Sequence, residues 1–196
     1  ICQKLELSEH DQVIEIGTGW GQFAIHAARN YGCHVTTTTI SEEQYNYAKM
    51  RIEQENLGDK ITLLKQDYRD LQGQYDKLVS IEMIEAIGHH YFDTFFNVCS
   101  RLLHEKGMMV LQAITIQDQE FQRYVRSVDF IKRYIFPGSC LTSITAMAGS
   151  VARATDLKIF HLEDITPHYA RTLNEWRRRF LDNIDQVRAL NFPETF

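Results

Sequence analysis

Residues 13–32 read VIEIGTGWGQFAIHAARNYG. A short apolar run carrying one acid, Glu15, passes at once into three glycines, Gly17, Gly19 and Gly21, and then into an amphipathic helical pattern. Strand, glycine loop, helix is an arrangement for backbone chemistry. Glycines let the chain turn tightly and let a ligand come against the main chain. The start of the helix offers N–H groups that have no partner within it. Other chemically capable residues are dispersed. Cys2, Cys33, Cys99 and Cys140 lie far apart with no C-x-x-C spacing, which reads as four reduced, buried thiols. His89 and His90 are adjacent but lack the clustered partners that zinc needs, so no metal is expected.

The elements that must position the loop follow from patterning. Residues 13–16 read as a strand and 21–31 as a helix. Residues 33–38 form a β-branched strand, and Ser41 caps a helix over 42–56 with Glu42 and Glu43 in its first turn. Strands are expected at 61–65 and 75–81, a helix with an apolar face at 90–103, and a long strand at 108–116. This βαβα rhythm predicts a largely parallel sheet with helices on both faces. It breaks after residue 117. Helices are expected at 119–133 and 143–154, with YIFPGSCLTS as a loop between them, and the whole 117–154 insertion reads as a lid over the sheet's C-terminal edge. There open α/β sheets bind their ligands. A strand at 157–163 and a long helix at 169–190 complete the reading.

The 196 residues are enough for one domain with its own core. A net charge of −5 argues against a general nucleic-acid binder. No run of about 18 uncharged apolar residues appears, so nothing reads as a membrane span. The N-terminus has no leader pattern and no initiator Met, as expected of a piece of a longer chain.

Two ligands compete for the glycines. A dinucleotide fold wants G-x-G-x-x-G and an acid about 20 residues on. Here the third position is Gln22, and the second strand ends in Thr36–Thr39 without a carboxylate. A P-loop is excluded, since no Gly-Lys-Ser/Thr follows. The alternative is the E-x-G-x-G-x-G loop of S-adenosylmethionine methyltransferases, matched by Glu15, Gly17, Gly19 and Gly21. A tight structural turn remains the plain reading of the same glycines.

Four strings in order, TISEEQ (39–44), SIEMIEAIGHHYFDTFF, YIFPGSCLTS and HYARTLNEW, resemble the cyclopropane-fatty-acid synthase family of S-adenosylmethionine-dependent methyltransferases over nearly the whole chain. The resemblance implies an α/β class I methyltransferase fold, a Rossmann-like, doubly wound, mostly parallel sheet. It implies that Gly17, Thr18 and Gly19, with Glu15 beneath, lie against the methionine part of S-adenosylmethionine. Thr39, Ile40 and Gln44 match ribose-side contacts, Asp67 and Tyr68 adenine contacts, and Ile81 a strand end near the cofactor. Glu82 stands where many family members have glycine. A bicarbonate is the family's base, gripped by a Glu, a His, a Tyr and backbone groups. Glu85 and Tyr169 match the Glu and Tyr, and Ile114 matches the backbone contact. Gln112 replaces the His and cannot carry a proton.

The resemblance further implies an unsaturated phospholipid as substrate, at the cytoplasmic membrane surface of a bacterium. Arg177–Arg179 are candidates for headgroup contact against the plain reading of a solvated face. A small-molecule N- or C-methyltransferase and a non-catalytic cofactor-binding module remain open. Methyltransferases of this fold close with an antiparallel seventh strand, and no further β-rich segment follows residue 190. A core truncated at both ends is therefore expected, with little activity of its own. Its sheet edge would be open and would invite pairing with a second copy.

Overall fold

The computed structural model describes residues 1–192; the sequence PETF at the C-terminus lies outside the described residues. The chain divides into two compact units, Ile1–Lys158 and Ile159–Phe196.

The first unit is built on five parallel strands: β1 (Gln12–Ile16), β2 (His34–Thr39), β3 (Ile61–Lys65), β4 (Tyr75–Ile81) and β5 (Leu103–Gln112). Their order is β3-β2-β1-β4-β5, and every pairing is parallel. The order reverses at β1, whose neighbours are β2 and β4. Because all strands run one way, everything that follows a strand emerges at the same edge of the sheet.

Crossover helices cover the two faces. In α1 (Gln22–Tyr31) Ala24, Ile25, Ala27 and Ala28 are buried against Val13, Val35 and Val79. The helix stops at Gly32, which takes φ +73° and donates its N–H to the Ala28 carbonyl. In α2 (Glu42–Gln54) the Ser41 hydroxyl accepts from the Gln44 N–H at 3.2 Å, as the capping pattern demands. On the other face α3 (Phe92–Leu102) buries Phe92, Phe95, Phe96, Cys99 and Leu102 against Ile14, Leu71 and Leu78. All four cysteines are buried and unbridged, and burial pushes the Cys33 thiol up to about 11.

Four expected boundaries move, each for a local reason. First, β5 starts at Leu103 rather than 108, because Leu103 pairs with Tyr75 across a register shift before Lys77 pairs with Met108. It also ends at Gln112 rather than 116. The Ile114 N–H turns to the Glu85 carboxylate at 2.5 Å, and Thr115 bridges to Thr142 instead.

Second, the helix expected at 119–133 is α4 (Asp118–Val125) followed by a separate π-helical turn, Ile131–Ile135. The Tyr124 carbonyl at the end of α4 accepts from the Ser127 N–H and hydroxyl and from Lys132 Nζ, which caps the helix there. Asp129 Oδ1 then accepts the Lys132 N–H and starts a new turn. Tyr134 and Ile135 belong to that turn; the rest of YIFPGSCLTS is loop, up to α5 (Ile144–Ala154).

Third, residues 157–163 pair with no strand. The segment carries the apolar residues Leu157, Ile159, Phe160 and Leu162, but Ile159, Phe160 and Leu162 are exposed. The sheet of the described residues therefore has five strands, with neither a sixth nor an antiparallel seventh.

Fourth, in the second unit the expected single helix is two, α6 (Thr166–Asp182) and α7 (Ile184–Ala189). Pro167 sits in the first turn of α6, and Asn183 breaks the run by donating its side-chain amide to the Arg179 carbonyl at 2.7 Å.

Inside the sheet one carboxyl is out of place by ordinary rules. Glu15 on β1 is 2% exposed. Its Oε2 accepts from the Thr37 hydroxyl at 2.6 Å, and Thr37 Oγ1 lies 2.7 Å from Thr18 Oγ1. Burial pushes the Glu15 carboxyl up to about 8, with the Thr37 bond working against the rise. The folded form therefore binds a proton more tightly than the unfolded chain, and stability falls as pH rises from about 4.5 to about 8. Glu15→Gln is expected to remove that fall. Its stability relative to the parent, read by urea denaturation across a pH series, should grow by up to about 1.4 kcal/mol per unit in this window and level off above it. A difference independent of pH would show that Glu15 is not the group responsible.

Candidate functional site

The loop after β1 is folded back onto β2. The Gly17 and Thr18 N–H groups both donate to the Thr38 carbonyl, at 3.2 and 2.9 Å, and the Gly21 N–H donates to Thr18. Thr18 is buried, and its hydroxyl continues the chain through Thr37 to Glu15. Glu15 thus lies beneath the loop and shapes it through two threonines. The three glycines have φ of +100°, +51° and +80°, all in the left-handed region. Their surroundings differ. A Cβ on Gly17 would meet Met83 Cγ at 3.0 Å, whereas a Cβ on Gly19 would meet nothing within 4 Å. The start of α1 has no side-chain cap. Among the described residues the Gly19 and Trp20 N–H groups have no partner within the protein. Gly19 therefore edges an open cradle at the C-terminal end of the central strand, bordered by unspent donors.

The other expected residues emerge at the same edge. Thr39 ends β2, and its hydroxyl donates to Gln44 Oε1 at 2.7 Å while accepting from the Ser41 N–H. This fixes the Gln44 side chain with its NH₂ group still available as a donor. Ile40 is 75% exposed beside them. Asp67 follows β3, but its carboxylate is engaged by Arg69 through the backbone N–H, Nε and Nη2 at 2.7–2.9 Å. That side-chain bond holds Asp67 below its usual range. Tyr68 packs edge-on to Phe95 with ring centroids 5.7 Å apart, and burial pushes its hydroxyl up to about 12.

Ile81 ends β4 opposite Gln112 on β5. Glu82 follows with φ +49°, a conformation that costs a non-glycine residue energy. Two bonds tie it to Gln112: its N–H donates to the Gln112 carbonyl at 2.8 Å, and its Oε1 accepts from Gln112 Nε2 at 2.9 Å. Glu85 is 5% exposed. Its Oε1 accepts from the Ile114 N–H at 2.5 Å, and its Oε2 is buried with no partner. Burial pushes the Glu85 carboxyl up; the Ile114 bond opposes the rise and the charge of Glu82 adds to it.

The 117–154 insertion is pinned here as well. The Cys140 N–H donates to the Glu85 carbonyl, and the Ile116 N–H donates to the Thr142 carbonyl, each at 2.8 Å. Glu85, Gln112 and Ile114 are therefore brought together, and Met83 connects them to the glycine loop. Tyr169 belongs to the second unit, in the first turn of α6.

Some participants were missed by sequence reasoning. Met83 fills the space beside Gly17, and Ser80 Oγ donates to the Ile16 carbonyl at 3.0 Å, locking β4 to β1 just below the loop. Neither residue type carries a sequence signal for such a place. Among the described residues there is no group of three His, Cys, Asp or Glu able to hold a metal.

Known proteins share this arrangement. The family model for mycolic acid cyclopropane synthetase matches residues 1–196. Tuberculostearic acid methyltransferase UfaA1 of Mycobacterium tuberculosis is 37% identical over 190 residues, 97% of this chain and 44% of that protein. Cyclopropane-fatty-acyl-phospholipid synthase of Escherichia coli K12 is 37% identical over 197 residues, 100% of this chain and 48% of that protein. The chain spans about half the length of these relatives. Mycolic acid cyclopropane synthase CmaA1, solved complexed with SAH and CTAB, superposes with a TM-score of 0.87 at 28% identity, covering 98% of this chain and 70% of that one. Cyclopropane synthase MmaA2 from Mycobacterium tuberculosis superposes at 0.85 with 22% identity, covering 96% and 69%, and shows the fold alone. The parallel five-stranded sheet with its flanking helices is that of class I methyltransferases. Since the family model covers every residue and two relatives are more than a third identical across the chain, this protein belongs to the mycolic acid cyclopropane synthetase family.

Proposed function

We propose that this chain is the S-adenosylmethionine-binding core of a methyltransferase acting on the double bond of an unsaturated phospholipid acyl chain. The observation that carries the reading is the cradle at Gly19: a loop at the switch point of a parallel sheet, open where a Cβ would stand and bordered by unspent N–H groups. Those donors suit the carboxylate of a methionine moiety. Gln44, steadied by Thr39, offers NH₂ donors suited to ribose hydroxyls. The Asp67 carboxylate is already engaged by Arg69, so any adenine contact from this segment falls to its backbone or to Tyr68.

S-Adenosylmethionine supplies an electrophilic methyl on a sulfonium sulfur. The protein's part is to bind it against the loop, exclude water and take up a proton. Met83 forms apolar wall beside Gly17. Methylation of an alkene leaves positive charge on the acyl chain, and loss of a proton discharges it. The buried, unpartnered Oε2 of Glu85 is the acceptor the first unit offers.

A bound bicarbonate does not fit the first unit's residues. The Ile114 N–H is spent on Glu85, and one of the two Gln112 amide hydrogens on Glu82. An anion would face two carboxyls with no cation among these partners. The lipid part of the reading draws on relatives whose names concern fatty acids and phospholipids. It also draws on exposed Arg177 and Arg179 on α6; Arg178 is taken up by Glu175 and Asp182. Among the described residues no helix is long and apolar enough to cross a membrane, so the reading puts the enzyme on a lipid surface rather than in it.

Two variants separate cofactor binding from turnover. Gly19→Ala is expected to leave the fold in place at a cost of about 1–2 kcal/mol, yet weaken S-adenosylmethionine binding at least tenfold in calorimetry, because its methyl enters the cradle. Binding unchanged by that methyl would remove the cradle from the account. Glu85→Gln is expected to do the opposite, keeping affinity within about twofold while lowering turnover of the full-length protein by about 10²-fold or more. Loss of affinity in that variant would move Glu85 out of its assigned place. For the substrate, mass spectrometry of lipids from cells expressing the full-length protein should show a gain of one CH₂ unit per modified acyl chain. An unchanged lipidome with tight cofactor binding would point to another acceptor.

A further inference from the structure

The segment between α4 and the buried Ser139 is folded inside out. Its lysine turns inward. Lys132 Nζ donates to the Tyr124 and Ser127 carbonyls at 2.6 and 3.0 Å and lies 3.5 Å from the centroid of the Tyr124 ring. Its apolar residues are left outside. Val128, Phe130, Tyr134 and Ile135 are 62–75% exposed, and Ile131 is 49% exposed. The turn is nevertheless firmly built. Asp129 accepts the Lys132 N–H on its carboxylate at 2.8 Å and the Arg133 N–H on its carbonyl at 3.0 Å. The Phe136 N–H donates to the Ile131 carbonyl at 2.8 Å, and the Tyr124 hydroxyl accepts the Leu141 N–H at 3.3 Å. The Phe130 and Tyr134 rings lie 5.4 Å apart. A turn made only to face water shows its lysine and hides its phenylalanine and isoleucine. An exposed apolar cluster held in place in this way marks a surface that something covers.

The charge around the turn indicates what that is. Residues 123–136 hold four cations, Arg123, Arg126, Lys132 and Arg133, and one acid, Asp129, in a chain of net charge −5. Lys132 is spent on carbonyls, and Arg123 pairs with Glu120. Arg126 and Arg133 are exposed, and among the described residues neither has an acidic partner. The Arg133 guanidinium stays beside the Tyr134 ring, 5.3 Å from its centroid. An apolar tip with guanidiniums on either side of it in sequence matches a bilayer interface. There the tip enters the boundary of the acyl chains, and the cations meet headgroup phosphates. Tyrosine, with an apolar ring and a polar end, suits the same depth.

We propose that the turn at 128–135 is the surface by which this protein docks on an anionic phospholipid bilayer. The choice of a lipid as occupant rests on the proposed lipid substrate; the inside-out turn does not depend on it. Docking there also serves the site. The loop that follows the turn is bonded to the end of β4, where the Cys140 N–H donates to the Glu85 carbonyl at 2.8 Å. One insertion thus touches both the bilayer and the candidate site.

The test uses the full-length protein with Phe130 replaced by an environment-sensitive fluorescent amino acid. Vesicles of saturated phosphatidylcholine, with or without phosphatidylglycerol, read docking apart from turnover. The free protein should show the emission of a fluorophore in water, with a blue shift on vesicles that contain phosphatidylglycerol. Emission already blue-shifted without lipid and unmoved by vesicles overturns the proposal. The turn is then covered by the rest of the chain or, where dilution reverses the shift, by a second copy. Vesicle binding with the fluorophore still in water also overturns it, because the lipid then meets another face.

Two double variants separate the components. Phe130→Ser with Ile135→Ser should weaken binding to phosphatidylglycerol vesicles at least tenfold, at low and high salt alike. Arg126→Gln with Arg133→Gln should weaken it about tenfold at low ionic strength and less as salt is added. Both should keep the parent's urea midpoint and S-adenosylmethionine affinity, since the altered side chains are exposed and lie outside the glycine cradle. Vesicle binding unchanged in either variant overturns the docking surface. Tight docking without methyl transfer to unsaturated phospholipid would sink the methyltransferase reading and leave the docking surface standing.

Discussion

The loop that follows the central strand is held from below by a carboxyl buried in the sheet. Glu15 accepts from Thr37, Thr37 meets Thr18, and the N–H groups of Gly17 and Thr18 close onto the Thr38 carbonyl. Without that anchorage a loop of three glycines would sample many conformations, since glycine loses most entropy on ordering. With it, the chain is fixed in a shape whose open side is Gly19. The position of the loop is fixed in turn by parallel pairing: β1 lies between β2 and β4, so the ends of all three strands converge around the glycines. Everything proposed for this protein depends on a ligand entering at that convergence.

The first four strands were legible in the sequence because β-branched runs, glycine breaks and the Ser41 cap agree with one another locally. What failed was decided by partners distant in sequence. Nothing within residues 108–116 says that the strand will end at Gln112. The cause is Glu85, nearly thirty residues earlier, drawing away the Ile114 N–H. Residues 157–163 carry four apolar side chains, but a strand needs a neighbour to bond with, and they pair with none.

The same contrast holds in the site. The glycine loop and Gln44 were readable because their chemistry is local. The engagement of Asp67 by Arg69, the pressure of Met83 on Gly17 and the bond between Glu82 and Gln112 were not, because residue types alone do not reveal who faces whom. Glu82 and Gln112 each looked like an isolated departure from the family's pattern. The structure shows them bonded to one another, so the two departures form a single feature.

The energetic logic of the site is therefore one of two buried or half-buried acids doing different things. Glu15 is satisfied by a hydroxyl and shapes the backbone, while Glu85 keeps one oxygen buried and unpartnered. A stable fold can tolerate the first at modest cost, but the second is understandable only as preparation for something that arrives.

The most direct measurement of the central claim is a crystal structure of the protein with S-adenosylhomocysteine. The account predicts the amino-acid end of the ligand against Gly19 and the start of α1, its ribose beside Gln44, and its sulfur toward Met83 and Glu85. A ligand bound elsewhere, or one whose ribose lies away from Gln44 with the Gly19 cradle empty, would contradict it.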